Sequence, residues 1–169
     1  MKPNFRISQN AVQPRAEEKL MAGTFAPASF RFTVRPHDIA GAVSQLGSNG
    51  REGCWIAFLF GTAKRSAMTD DQSLALQYSV IDGVVGLDWV LLGPRNVADA
   101  SDLAHFARGL GYRVQQREMN SVGFLRVEDG DLAALGAAIL EDLYGVTPQA
   151  ELGLLIDGIV LSLGNRASL

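Results

Sequence analysis

The apolar and polar positions of residues 85–157 follow the periods of strands and helices. They predict a strand, a helix, two strands, a helix and a strand, in that order. This order is typical of a ferredoxin-like, or split βαβ, unit. The sequence therefore predicts an α+β fold in which an antiparallel sheet carries its helices on one face. Because ferredoxin-like units host many unrelated activities, the fold alone does not predict a function.

The first half of the chain repeats part of this order. Strand, helix, strand, strand occurs at 30–80 and again at 85–128. The chain can therefore be two related βαββ units, 30–84 and 85–169, fused in one sheet. Within the first unit, the uninterrupted apolar run Cys54–Phe60 predicts a strand that is buried on both faces.

Two Asp-Gly pairs predict tight turns, because a type I′ hairpin turn needs a positive φ at both central residues. Asp82-Gly83 is predicted to join two strands of the sheet. Asp157-Gly158 is predicted to turn the chain into a further strand, Ile159–Leu163.

The second and third helices have predicted caps. Asp99 or Ser101 can cap the second helix, and Asp129 or Asp131 can cap the third. Trp89 lies at the apolar end of the strand before the second helix, and it is predicted to be buried. The predicted apolar stripe of the third helix consists of Leu132, Leu135, Ile139 and Leu143.

Residues 1–28 differ from the rest of the chain, because they contain three prolines, few large apolar residues and no regular period. They are interpreted as a mobile N-terminal arm that can become ordered on a partner. A short helix at residues 15–21 is predicted within the arm. Residues 29–169 are predicted to form a single α+β domain.

Composition is that of a globular protein, with 47% hydrophobic and 20% charged residues. No apolar stretch approaches the roughly 18 residues of a membrane span, so no membrane partner is expected. The single cysteine, Cys54, excludes an internal disulfide. We expect a cytoplasmic protein that is a monomer or a weak homodimer.

The net charge of −3 conceals an asymmetry along the chain. Residues 1–28 carry four basic and two acidic side chains, which is +2, so the remainder carries −3 − 2 = −5. This negative remainder argues against a general binder of nucleic-acid phosphates.

Acidic residues dominate the C-terminal half. From Val127 to Asn165 there is no lysine or arginine. Helical spacing places Glu141 and Asp142 away from the apolar stripe, so both should be exposed. An electrostatic docking face for a basic protein partner is predicted at Glu128, Glu141, Asp142 and Glu151. An ordinary solvated surface is the alternative interpretation.

The loop Gly93-Pro94-Arg95-Asn96 is the most site-like segment, because it follows a buried strand and precedes a helix. Backbone N–H groups at a helix start favour anions. Arg95 could hold a carboxylate or phosphate, and Asn96 could orient it. Alternatively, Arg95 pairs with Asp99 at the surface.

Other chemistry has little support in the sequence. It contains no phosphate loop, dinucleotide fingerprint, zinc-ligand pairing or nucleophile elbow. His37 and His105 are interpreted as surface residues. The acids of the segment Arg126–Asp131 could bind a hard cation, but Asp129 and Asp131 are explained as helix caps. No cofactor and no metal are expected.

The leading hypothesis is a non-catalytic, cytoplasmic protein-binding module of a regulatory or immunity-protein type, which docks a basic partner through its acidic C-terminal half. The alternative is a small-molecule-binding regulatory domain, or an enzyme, with a site near residues 93–96.

Overall fold

A computed structural model describes residues 32–61 and 73–163 of the chain. The predicted arm, 1–28, and its helix lie outside the described residues. The strands are β1 (Phe32–Val34), β2 (Trp55–Phe60), β3 (Leu74–Ile81), β4 (Val84–Val90), β5 (Gln115–Met119), β6 (Val122–Val127) and β7 (Leu152–Asp157). The helices are α1 (Asp38–Asn49), α2 (Pro94–Gly109) and α3 (Leu132–Ala138), and α3 continues into a π-helical turn, Ile139–Leu143.

The seven described strands form one antiparallel sheet in the order β1-β7-β2-β3-β4-β6-β5. The three helices contact the central strands β2, β3 and β4. The α+β class and the antiparallel sheet with helices packed against it are therefore confirmed.

The ferredoxin-like topology is not confirmed. Strands β4, β6 and β5 do have the neighbour order of that fold, in which the third strand lies between the first two. In a ferredoxin-like unit the fourth strand, β7, would then lie beside β4. The neighbour of β4 is instead β3, because the tight Asp82-Gly83 turn joins these two strands directly.

The two βαββ segments also differ in strand order. In the second, β6 lies between β4 and β5, whereas in the first, β3 lies outside β2 and β7 separates β1 from β2. Both segments share one sheet, but they are not copies of one arrangement.

The main core lies between the helices and one face of the sheet, which we call the helix face. Strand alternation points Leu76, Tyr78, Leu87 and Trp89 into it, and each is buried. The Tyr78 hydroxyl donates to the Leu132 carbonyl at the start of α3, at 3.1 Å. The burial predicted for Trp89 is confirmed, with none of its surface exposed.

The predicted stripe of α3 is correct up to Ile139 and then shifts by one residue. The amide of Tyr144 donates to the carbonyl of Ile139, five residues back, at 3.2 Å. This π-helical spacing brings Tyr144 to the buried side in place of Leu143, which is only half-buried. Leu140 is buried as well.

Helix starts follow the predictions in part. Asp131 caps α3, since its carboxylate accepts from the Ala134 amide at 2.9 Å. The predicted caps of α2, Asp99 and Ser101, are wrong, because α2 begins earlier, at Pro94, after Gly93. Proline is favoured in the first turn because the amide it lacks would have no helical partner there.

The strand predicted at Ile159–Leu163 does not form. This segment lies against α1, where the Gln45 carboxamide binds both backbone groups of Ser162. The Cys54 thiol, buried as predicted, donates to the Gly158 carbonyl at 3.0 Å. These contacts tie the segment to α1 and to the residue before β2.

Candidate functional site

The segment 93–96, predicted as a loop, is the start of α2, with Gly93 before the helix and residues 94–96 in its first turn. The Arg95 Nε donates to the Asp99 carboxylate at 2.7 Å, which is the pairing that the alternative interpretation foresaw. The Asn96 carboxamide is buried and binds both backbone groups of Ala75 on β3. The carboxamide of Asn96 therefore ties α2 to β3.

Aromatic rings pack beneath the start of α2. The rings of Trp89 and Tyr144 are stacked, with centroids 6.0 Å apart, and the Trp89 Nε1 donates to the Asn96 carbonyl at 2.8 Å. The Tyr144 hydroxyl donates to the Asp99 carboxylate at 3.0 Å. The pKa of Tyr144 is raised, first by burial and then by Asp99. Asp99 thus accepts from both Arg95 and Tyr144, and Arg95 balances its charge.

A second polar cluster lies on the sheet face opposite the three described helices. We call it the helix-free face, because no helix of the described residues packs on it. The Arg126 side chain is fully buried there, and its Nη1 donates to Asp88 at 2.7 Å. Its Nε donates to Glu128 at 2.6 Å and its Nη2 to the Val84 carbonyl at 2.8 Å. Ser79 donates to Asp88 and accepts from Arg126. We call these side chains (Ser79, Asp88, Arg126 and Glu128) the buried polar network.

Burial raises the pKa of Asp88, while the Arg126 guanidinium and the Ser79 hydroxyl oppose that rise. In the described part of the chain, no buried side-chain nitrogen or oxygen lacks a hydrogen-bond partner. The donors and acceptors of the network are therefore satisfied within the protein, by one another, by the Val84 carbonyl and by Arg117.

The predicted docking residues differ in their exposure and in their partners. Glu128 belongs to the buried polar network and also accepts from Arg117 at 3.1 Å. Glu141 and Asp142 are exposed on the π-helical turn, and Glu151 is exposed just before β7. Among the described residues, these three carboxylates form no ion pair within 4.0 Å. We call Glu141, Asp142 and Glu151 the acidic surface.

An open groove of about 680 Å³ runs between α1 and the start of α3. Its walls are mainly small and apolar, as at Ala40, Val43 and Ala137, with His37 and Asp131 at the rim. His37 is exposed beside Asp38, and His105 is exposed on α2. Within residues 32–61 and 73–163, no three metal-ligand side chains come together.

Sequence reasoning missed Tyr144 and the pairing of Arg126 with Asp88. The stacking of Tyr144 on Trp89 depends on the π-helical spacing after Ile139. No residue pattern in the sequence predicted that spacing. The pairing depends on the register between β4 and β6, where Asp88 lies opposite Arg126. The available signal was one charged residue within each of two apolar strands, Asp88 in β4 and Arg126 in β6.

Comparisons with protein-family profiles, with curated proteins and with solved structures find no match for this chain. Of the helices in the described residues, none is both long and apolar enough to cross a membrane.

Proposed function

We propose that this protein is a non-catalytic, cytoplasmic protein-binding module of a regulatory or immunity-protein type, and that it docks a basic partner on the acidic surface. The observation that carries the proposal is the exposure of Glu141 and Asp142 on the π-helical turn, where neither carboxylate forms an ion pair with a basic side chain of the described residues. Glu128 is left out of this surface, because Arg117 and Arg126 already neutralise it.

The position of the two carboxylates supports docking by a preformed surface. Ile139 and Leu140, in the same turn, are buried in the core, and Tyr144 follows directly. The backbone that carries Glu141 and Asp142 is thereby anchored, so less conformational entropy is lost when a partner binds.

The electrostatics of this region also favour a cationic partner. Residues 127–165 contain no basic side chain. Asp102 on α2 is exposed and lies near enough to Tyr144 to raise the pKa of its hydroxyl. Charges of one sign on neighbouring elements add their fields and steer an oppositely charged protein towards its site.

The test uses the full chain as immobilised bait for proteins from a lysate of its native cell. Wild type is compared with Glu141→Lys and with a matched control, Glu118→Lys. Glu118 is an exposed carboxylate on the edge strand β5 and undergoes the same change of charge. Captured proteins are identified by mass spectrometry, and association rates of the main one are measured at low and at high salt.

We expect a basic protein that binds wild type and Glu118→Lys alike, and that associates about tenfold or more slowly with Glu141→Lys at low salt. Raising the salt should shrink this difference, because the steering is screened. A partner that binds both variants equally well, at either salt concentration, would overturn the proposal. A captured small molecule or acidic partner that depends on Arg95 would instead favour the alternative, a ligand site at 93–96.

A further inference from the structure

The helix-free face carries apolar side chains that are nearly inaccessible to solvent. Ala57 and Leu59 on β2 are 4% and 9% exposed, and Phe124 on β6 is 5% exposed. None of the three belongs to the core cluster beneath the helices. Strand alternation places them on the opposite face from Phe58 and Leu125, which do pack in that core.

Asp88 and Arg126 of the buried polar network lie on the same face and are just as inaccessible. Asp88 is 1% exposed and Arg126 is 0% exposed. The three helices of the described chain pack on the other face, against residues such as Tyr78 and Trp89. An antiparallel sheet with helices on one side normally leaves its second face in water. Burial of this degree indicates that something covers the helix-free face.

Strand β2 leads to the same inference from its sequence. Its six residues, Trp55–Phe60, are all apolar, and it occupies an interior position in the sheet between β7 and β3. A solvated face would alternate apolar and polar residues, whereas an uninterrupted apolar strand is typical of burial on both faces. Leu155, which lies opposite Ala57 on β7, extends the apolar area across the neighbouring strand.

We infer that residues 1–31 of this chain dock on the helix-free face and cover it. This segment contains Phe5, Ile7, Leu20, Phe25 and Phe30. It leads directly into β1, the edge strand beside β7. Extended, 31 residues reach about 100 Å, whereas seven strands span only about 29 Å. The segment is therefore long enough to cross the sheet and supplies apolar side chains for the contact.

The charges of the two parts agree with this assignment. Residues 1–31 carry five basic and two acidic side chains, which is +3, so residues 32–169 carry −3 − 3 = −6. The segment at 62–72 is a poorer candidate, because its one large apolar side chain is Met68. An apolar contact between oppositely charged parts of one chain gives affinity through burial and a further attraction through charge.

The experiment is limited trypsin digestion of the native full-length chain, followed by mass spectrometry. Cleavage after Arg15 and Lys19 is timed against the same bonds in a synthetic peptide of residues 1–31. The variant Leu155→Lys places a charge on the helix-free face. Its matched control, Val160→Lys, adds the same charge at a residue that is 87% exposed beyond the sheet.

We expect both bonds to be cut about tenfold or more slowly in the native chain than in the peptide, since a docked segment must first detach. Leu155→Lys should remove most of this protection, and Val160→Lys should retain it. Equal rates in wild type and peptide would overturn the inference, and this comparison stands even if Leu155→Lys does not fold. If protection from trypsin rises with protein concentration, a second copy of the chain covers the helix-free face, and the inference is overturned. Protection that survives a folded Leu155→Lys would place the segment elsewhere.

Discussion

The guanidinium group of Arg126 occupies the space that a Cβ atom on Gly86 would need. The buried polar network therefore depends on Gly86. A side chain at this position of β4 would displace Arg126 from Asp88 and Glu128. The glycine is required here for the space it leaves, and not for a special backbone angle.

The first prediction concerns this glycine. Gly86→Ala should lower the free energy of unfolding by about 3–5 kcal/mol, since it separates a buried charge from its partners. Urea denaturation measures the change. Gly123→Ala on β6 is the matched control, because its new Cβ would meet Leu91 at an ordinary 3.5 Å. Equal costs for the two variants would show that Arg126 yields easily and that the network contributes little.

The second prediction concerns the buried pair itself. Arg126→Met should cost about 3–5 kcal/mol, because Asp88 would remain buried without its cation. Adding Asp88→Leu should recover part of that loss, with a coupling energy of about 0.5–3 kcal/mol in a double-mutant cycle. Strictly additive losses would mean that the two side chains do not stabilise each other.

The third prediction is a pH dependence set by Asp88. Burial raises its pKa above the ordinary 3.8, so the folded chain holds this proton more tightly than the unfolded chain does. The stabilising contribution of Asp88 is then greatest below its ordinary pKa, and it is lost as the pH rises through the raised, folded-state pKa. The free energy of unfolding of wild type, measured relative to Asp88→Asn, should fall as the pH rises from about 3 to about 7. A rise over this window would mean that Arg126 outweighs burial and lowers the pKa.

The fourth prediction concerns the aromatic packing under α2. Trp89→Ala removes a fully buried ring that stacks on Tyr144, and it leaves the Asn96 carbonyl without its donor. It should cost about 3–5 kcal/mol. Trp55→Ala is the comparison, because Trp55 is only half-buried and lies on the helix-free face; it should cost less. Thermal melting of both variants checks whether Trp89→Ala lowers the melting temperature more than Trp55→Ala does.

Local features were predictable from the sequence because they depend on a few adjacent residues. The turn at Asp82-Gly83 has a positive φ at both positions, and Asp131 caps its helix through a bond three residues away. Long-range strand order was not predictable, since any apolar strand can pair with another. Nothing near Leu152 indicates that β7 will lie between β1 and β2.

In the candidate site, too, local features were predictable from the sequence and long-range contacts were not. Exposure of Glu141 and Asp142 followed from helical spacing, whereas the neutralisation of Glu128 needed the register of β5, β6 and β4. Arg95 and Asp99 are four residues apart on one helix, so their pairing was foreseeable from the sequence. The inward role of Asn96 was not, because its partner Ala75 lies 21 residues earlier, on β3.

The position of β7 has a consequence for the order in which the chain acquires its structure during synthesis. Strands β2, β3, β4, β6 and β5 can pair as they emerge, but the described strand partner of β1 is β7, with Phe32 opposite Leu154. That contact closes a loop of more than a hundred residues, and such long-range pairings form slowly. In pulse-labelling hydrogen exchange during refolding, the amides of β1 should gain protection together with β7, after the central hairpin. The edge of the sheet beyond β2 stays open until the last described strand is made, and over that interval the growing chain presents the apolar β2 to its surroundings.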